Sequence, residues 1–388
     1  MTPNYRKLST TLMLFHAAAL VAVAAPAMAG GKHKSKPIVL EDQGSFTVGG
    51  SVITAPGTHD PYNPTPPDGQ TFHGDHTYVQ YQIPPDARKL PLVMWHGGGQ
   101  MARTWESTPD GRDGFQNIFI RRDFSTYILD QANRGRAGRA TVPFTINVVP
   151  GEQALFTTFR LGVWPNYFPG VQFPRDAASL EQYYEQQTPN TGPGSNALTS
   201  DGVAALFAKI GPGILLTHSA SGAPGWLAAL KSANVKALVS YEPTAFTFPE
   251  GEVPPALPTA YDGVPQSPGP AVPLAEFMKL TRIPIQVIYG DNIPAGPSLL
   301  PGPERWRLRL IYAQQFVDTL NRHGGDAQLL HLPRVGVYGN THFPFSDLNN
   351  VKIADLLSKY LNKNGLDRYP RSRDDDDDDG HDDHHARR

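Results

Sequence analysis

The stretch Ile214-Leu215-Leu216-Thr217-His218-Ser219-Ala220-Ser221-Gly222-Ala223-Pro224-Gly225-Trp226 constrains this chain more than any other. Its short apolar start reads as a buried strand, and the apolar run from Trp226 reads as a packed helix. Only a very sharp turn can join the two, and a serine stands in that turn. Such a turn strains the serine backbone and holds its hydroxyl at the end of a sheet. It also aims the N–H of the next residue, Ala220, at whatever the hydroxyl attacks. Residues two before and two after the serine come close together, so glycine usually fills both places. Here they are Thr217 and Ser221, with glycine one step later at Gly222. Ser221 is the less suitable nucleophile, because the apolar strand ends too early for it. The alternative for the whole stretch is an ordinary strand-loop-helix with a serine in its turn.

Further apolar runs alternate with helical patterns on both sides of this turn. Strands are expected at Thr77–Ile83, Leu92–Trp95, residues 124–130, Val235–Tyr241, residues 283–289 and residues 328–332. Residues 45–54, with Gly49-Gly50 in the middle, read as a tight hairpin or a bulged strand. Val203, Leu206, Phe207 and Ile210 recur at helical spacing, with Ser200 or Asp201 as cap and Gly211 as stop. Pro303 and Gly324 bracket another helix. Ile353, Leu356, Leu357, Tyr360 and Leu361 make the buried stripe of the last one. Alternating strands and helices imply a mostly parallel sheet with helices on both faces. Reactive groups then gather beyond the carboxyl ends of the strands.

Four groups lie at such ends. Leu92–Trp95 runs into His96-Gly97-Gly98-Gly99-Gln100, where glycine lets a backbone N–H face a cleft unobstructed. Gly98 is the first candidate for that donor and Gly99 the second. Ser219 follows the elbow strand, Glu242-Pro243 ends the next strand, and His342 lies in a loop between the last strand and the last helix. The order of oxyanion loop, serine, acid and histidine is that of the α/β-hydrolases. In many of them the acid follows the strand that here ends at Tyr289, about three residues after a glycine. Counted from Gly290 that residue is Ile293, which cannot orient an imidazole. Asp291 is nearby but suits a loop cap. Glu242 could reach His342 from one strand over, so it stands ahead of Asp291.

The remaining segments bound the domain. Arg6 and Lys7, the apolar residues 12–25 and Ala27-Met28-Ala29 form a secretory signal peptide, expected over residues 1–29. The mature chain would then begin near Gly30 in the periplasm or medium. Residues 30–44 are expected as a disordered leader and 45–366 as the catalytic domain. Proline-rich and aromatic insertions near 141–196 and 243–280 would cap the cleft. Residues 367–388, with six consecutive aspartates and a cluster of histidines, are expected to be a solvated, disordered tail. His73, Asp75 and His76 read as a polar turn rather than metal ligands. The loop Asn133-Arg134-Gly135-Arg136-Ala137-Gly138 matches no phosphate loop and reads as one edge of the cleft. The 388 residues carry no cysteine, which excludes disulfides and thiolate chemistry, and a net charge of −2, which argues against nucleic acid as a partner.

His96-Gly97-Gly98, Thr104-Trp105-Glu106-Ser107-Thr108-Pro109-Asp110-Gly111-Arg112, residues 130–136, Thr217-His218-Ser219 and Asn340-Thr341-His342 together resemble secreted bacterial esterases of the esterase 713-like type. The resemblance runs from about Thr77 to the final helix. It implies an α/β-hydrolase fold, secretion, esterase activity and a glutamate as triad acid, at the position of Glu242. The expected enzyme is a serine esterase acting on small-molecule esters, with Ser219, His342 and Glu242 as triad and Gly98 and Ala220 as oxyanion donors. It needs no metal and no organic cofactor, and no membrane anchor is expected. Homodimer formation is left open. An acyltransferase or lactonase with the same triad, or a catalytically silent binding protein on this fold, are the other readings.

Overall fold

The computed structural model describes residues 36–370. The expected signal peptide and residues 371–388 of the expected tail lie outside the described residues. Eight strands form one sheet: β1 (Asp42–Val48), β2 (Thr77–Ile83), β3 (Leu92–Trp95), β4 (Thr126–Asp130), β5 (Gly213–His218), β6 (Val235–Tyr241), β7 (Pro284–Tyr289) and β8 (Asp326–His331). Their order is β1-β2-β4-β3-β5-β6-β7-β8. Only β2 runs antiparallel to its neighbours, β1 and β4; the strands from β4 to β8 are parallel.

β3 and β5 are buried along their whole lengths, as central parallel strands covered on both faces must be. Alternate residues feed two cores. Val93, Trp95 and Leu215 pack on one face with helices α1 (Asn196–Ile210), α2 (Gly222–Lys231) and α3 (Pro301–Arg322). Leu92, Met94 and Leu216 pack on the other with the short helix Phe115–Ile120 and with α4 (Asn350–Lys363). This is the α/β-hydrolase architecture.

Several boundaries differ from those expected. β1 begins at Asp42, inside the segment read as a leader, because its polar residues pair in register with β2 from Asp42↔Ile83 onward. Residues 45–54 form no hairpin on themselves. The chain turns at Gly49 and Gly50 (φ 66° and 86°), and Ser51–Thr54 pairs with Thr71–Gly74 in a separate two-stranded sheet while β1 pairs with β2 in unbroken register, so neither the hairpin nor the bulged strand forms. Helix α1 starts several residues before Ser200 and is capped by Ser195, whose Oγ accepts the Leu198 N–H at 3.2 Å; Ser200 is buried within it. Helix α3 begins at Pro301 rather than Pro303. The first residues assigned to the tail are packed: the Lys89 N–H donates to Arg368 O (2.9 Å) and the Tyr369 hydroxyl to Asp123 Oδ2 (2.6 Å).

Candidate functional site

The turn after β5 explains how this chain manages without the usual glycines. Thr217 is fully buried, and the room for its methyl comes from the helix: a Cβ on Gly225 would lie 2.6 Å from Thr217 Cγ2. Its hydroxyl donates to Ser240 Oγ on β6 (2.8 Å). Ser221 is equally committed. Its Oγ accepts the His218 N–H (2.9 Å) and faces the carbonyls of His218 (2.9 Å) and Trp95 (3.2 Å). Ser219 is left as the residue of the turn with φ of 55°, a region costly to a residue bearing Cβ. It is 7 % exposed. The loop after β3 lies against it, since a Cβ on Gly98 would come within 3.3 Å of Ala220 Cβ. Gly98 and Ala220 are exposed to the cleft. His96 braces this loop through its ring, with Nδ1 2.9 Å from Gly97 O and Nε2 accepting the Gln131 N–H at 3.4 Å. Burial, with Arg134 beside it, lowers its pKa to about 4, so the ring is neutral.

Glu242 and His342 meet directly. Glu242 Oε2 lies 2.6 Å from His342 Nδ1, and both side chains are fully buried. The other carboxylate oxygen, Oε1, accepts the Gly290 N–H (2.7 Å) and is paired with Arg160. Gly290 opens the space for this: a Cβ there would lie 2.6 Å from Thr341 O and 2.9 Å from Glu242 Oε1. Glu242 itself has φ of 48°, a second strained non-glycine residue at a strand end. Asp291 is elsewhere. Its carboxylate accepts the N–H groups of Asn292 (2.7 Å) and Gly339 (2.6 Å), the role of a loop cap. The His342 loop is held by Asp347, which accepts from Thr341 N (2.7 Å), Thr341 Oγ1 (2.8 Å) and Asn340 Nδ2 (3.0 Å).

Around His342 stand His218 of the elbow motif and three groups that the sequence did not single out, Phe159, Arg160 and Trp306. Phe159 stacks on the imidazole (centroids 4.7 Å, 13° between planes), and Trp306 lies 4.2 Å away. His218, next to Ser219, faces His342 O with its Nε2 at 2.9 Å. Arg160 is fully buried, with φ of 62°, and its Nε donates to Asp291 O (2.8 Å). His342 Nε2 has no hydrogen-bond partner among the described residues, and none joins it to Ser219 Oγ. Burial, reinforced by the charges of Arg160 and Arg309, holds the His342 pKa well below its usual 6.5, so the imidazole is neutral at ordinary pH.

That arrangement yields a first expected result. With His342 as the expected general base, a neutral imidazole is available above its lowered pKa, so activity should persist well below pH 6.5. Arg160→Met removes one of the charges that depress His342, so the acid limb of kcat/KM should move to higher pH. The variant also leaves Glu242 buried without its cation, costing about 3–5 kcal/mol of stability. A pH profile together with a denaturant melt reads both effects. An acid limb unmoved in the variant would show that Arg160 does not act on the imidazole.

Two pockets are of similar size, and one of them reaches the expected oxyanion donors. One of about 330 Å³ is lined by Gly98, Ala220, Gln131 and Arg134; the other, also about 330 Å³, by Val163, Phe168, Ile293, Leu300 and Pro303. Asp75, expected in a polar turn, accepts the Thr141 N–H at 3.2 Å. No group of three or more His, Cys, Asp or Glu suited to a metal ion occurs among the described residues. None of the described helices is long and apolar enough to cross a membrane.

The comparisons agree with this architecture. No family model matches the chain. A solved structure described as a novel bacterial esterase superposes with a TM-score of 0.69 and 31 % sequence identity, covering 86 % of this chain and 99 % of that one. The chain belongs to the esterases of the α/β-hydrolase fold. This esterase is also 26 % identical over 325 residues to the probable secreted lipase phiG of Fungal sp. (strain ATCC 74256), spanning 74 % of the chain and 85 % of the lipase. It is a carboxylic ester hydrolase.

Proposed function

We propose that this esterase is a secreted serine hydrolase that cleaves small-molecule carboxylic esters through a Ser219-His342-Glu242 triad and an acyl-enzyme. The observation that carries the reading is the 2.6 Å contact between Glu242 and His342, beside a strained serine at the end of β5. As the ester seats, Ser219 Oγ attacks the carbonyl carbon and its proton passes to His342 Nε2. Glu242 fixes the Nδ1–H tautomer and stabilises the imidazolium. The amides of Gly98 and Ala220 receive the oxyanion, a contribution of about 3–4 kcal/mol per donor. Collapse expels the alcohol, which takes the proton from His342. Water, deprotonated by the same imidazole, then releases the acid and restores the serine. Ser219 and His342 share no hydrogen bond among the described residues, and catalytic hydrogen bonds of this kind tighten as substrate seats. Secretion rests on the Arg6-to-Ala29 pattern and on the description of the related lipase as secreted.

The acyl-enzyme makes a kinetic prediction. Mixing the enzyme with excess p-nitrophenyl acetate should release a burst of p-nitrophenol equal to the enzyme present, followed by slower turnover. A burst of p-nitrophenol with no stoichiometric acyl adduct in rapidly quenched enzyme would contradict the mechanism.

A further inference from the structure

The pocket beside Gly98 and Ala220 has a charged wall. Arg134 is only 6 % exposed, yet its guanidinium bonds neutral groups: Asn190 Oδ1 from Nε (2.9 Å) and NH2, and Gly97 O from NH1 (3.3 Å). Asp130, the nearest carboxylate in its loop, is already engaged by Arg136 Nε (2.7 Å), the Arg136 N–H (3.0 Å) and the Ala102 N–H (2.6 Å). Among the described residues, then, Arg134 forms no ion pair. Asp130 acts on Arg134 only through space and does not offset its burial, which lowers the Arg134 pKa to about 10; the cost of a buried cation falls when an anion arrives in contact with it. The rest of the pocket is neutral and polar, including Gln131, Asn190 and Thr199, and no carboxylate lines it.

Which half of an ester enters is decided by the proton. The leaving alcohol must stay within reach of His342 Nε2, which lies among Phe159, Trp306 and Phe343, none of which lines this pocket. The acyl chain therefore continues past the oxyanion donors toward Arg134. We infer that this esterase takes esters whose acyl group ends in a carboxylate, the monoesters of short dicarboxylic acids, with Arg134 as the residue that recognises the free acid. The inference rests on the proposed triad, and it deepens that reading by naming the substrate class.

Initial rates by pH-stat near neutral pH test it. Ethyl hydrogen succinate and ethyl 4-methylpentanoate have acyl groups of nearly one shape, one ending in a carboxylate and the other in an isopropyl group. Wild-type kcat/KM should favour the succinate monoester by at least about tenfold. In Arg134→Gln that ratio should fall to near one, chiefly through KM, and Arg134→Lys should keep part of it. A merely structural Arg134, holding the Gly97 loop, would slow both esters alike and leave the ratio unchanged, which would overturn the inference. So would a wild-type ratio of one or below. The alcohol-side pair, butanoyloxyacetate and isobutyl butanoate, should show no such preference; a preference confined to it would overturn the acyl assignment. Hydrolysis of neutral esters with a flat ratio would leave the triad reading standing alone, whereas hydrolysis of none of them would end both.

Discussion

Ser219→Ala should lower kcat on p-nitrophenyl esters by a factor on the order of 10⁶ while leaving the melting temperature unchanged. Removing the nucleophile of a serine triad disables the whole unit, and what remains is binding and the oxyanion donors. The substitution deletes only Oγ and retains Cβ, so the turn keeps its strain. Ser219→Gly should lose the same activity yet melt no lower than the wild type, because glycine occupies a φ of 55° without penalty. Ser221→Ala should behave in the opposite way. Its hydroxyl ties the His218 N–H to the carbonyls at the base of the turn, so its loss destabilises the turn by about 1–3 kcal/mol without removing the nucleophile. Steady-state rates and melts on the three variants separate these outcomes. Retained activity in Ser219→Ala would overturn the assignment.

The second large effect concerns the acid. Glu242→Gln should cost on the order of 10⁴ in turnover, because the amide no longer selects the tautomer that leaves Nε2 free to accept a proton. It also leaves Arg160 buried without its carboxylate, so the single variant should be less stable by about 3–5 kcal/mol. Pairing it with Arg160→Met separates the two consequences. The double variant removes both charges and should recover stability relative to Glu242→Gln, while turnover stays low. Asp291→Asn should change turnover only a few-fold, since its oxygens bond loop amides and not His342. A ranking with Asp291→Asn the more damaging in turnover would move the acid to the end of β7.

Why was Glu242 legible before the structure, and Arg160 not? Glu242 closes an apolar run and is followed by proline, a pattern that marks a strand end. Arg160 lies in a segment dense in prolines and aromatics, with no period to say which side turns inward, and its contacts are 82 and 131 residues away in sequence. The same limit applies at the turn. Thr217 read as a departure because glycine was sought at that position; the space it needs is supplied by Gly225, eight residues later and on a different element. The strands β3, β5 and β6 were legible because continuous apolar runs have few other fates. The start of helix α1 was not, because Asn196 through Ser200 include three polar residues that no apolar period reaches, while the serine that caps them stands further back. Edge strand β1 begins among polar residues for a related reason: one of its sides has no neighbour, so burial leaves little trace there.

The central claim is that Ser219 forms the covalent intermediate. Incubating the purified esterase with a fluorophosphonate and mapping the adduct by peptide mass spectrometry tests it most directly. The account predicts one equivalent of label, on Ser219, abolished in Ser219→Ala and retained in Ser221→Ala. Label on Ser221, or no label in an enzyme that still hydrolyses p-nitrophenyl acetate, would contradict it.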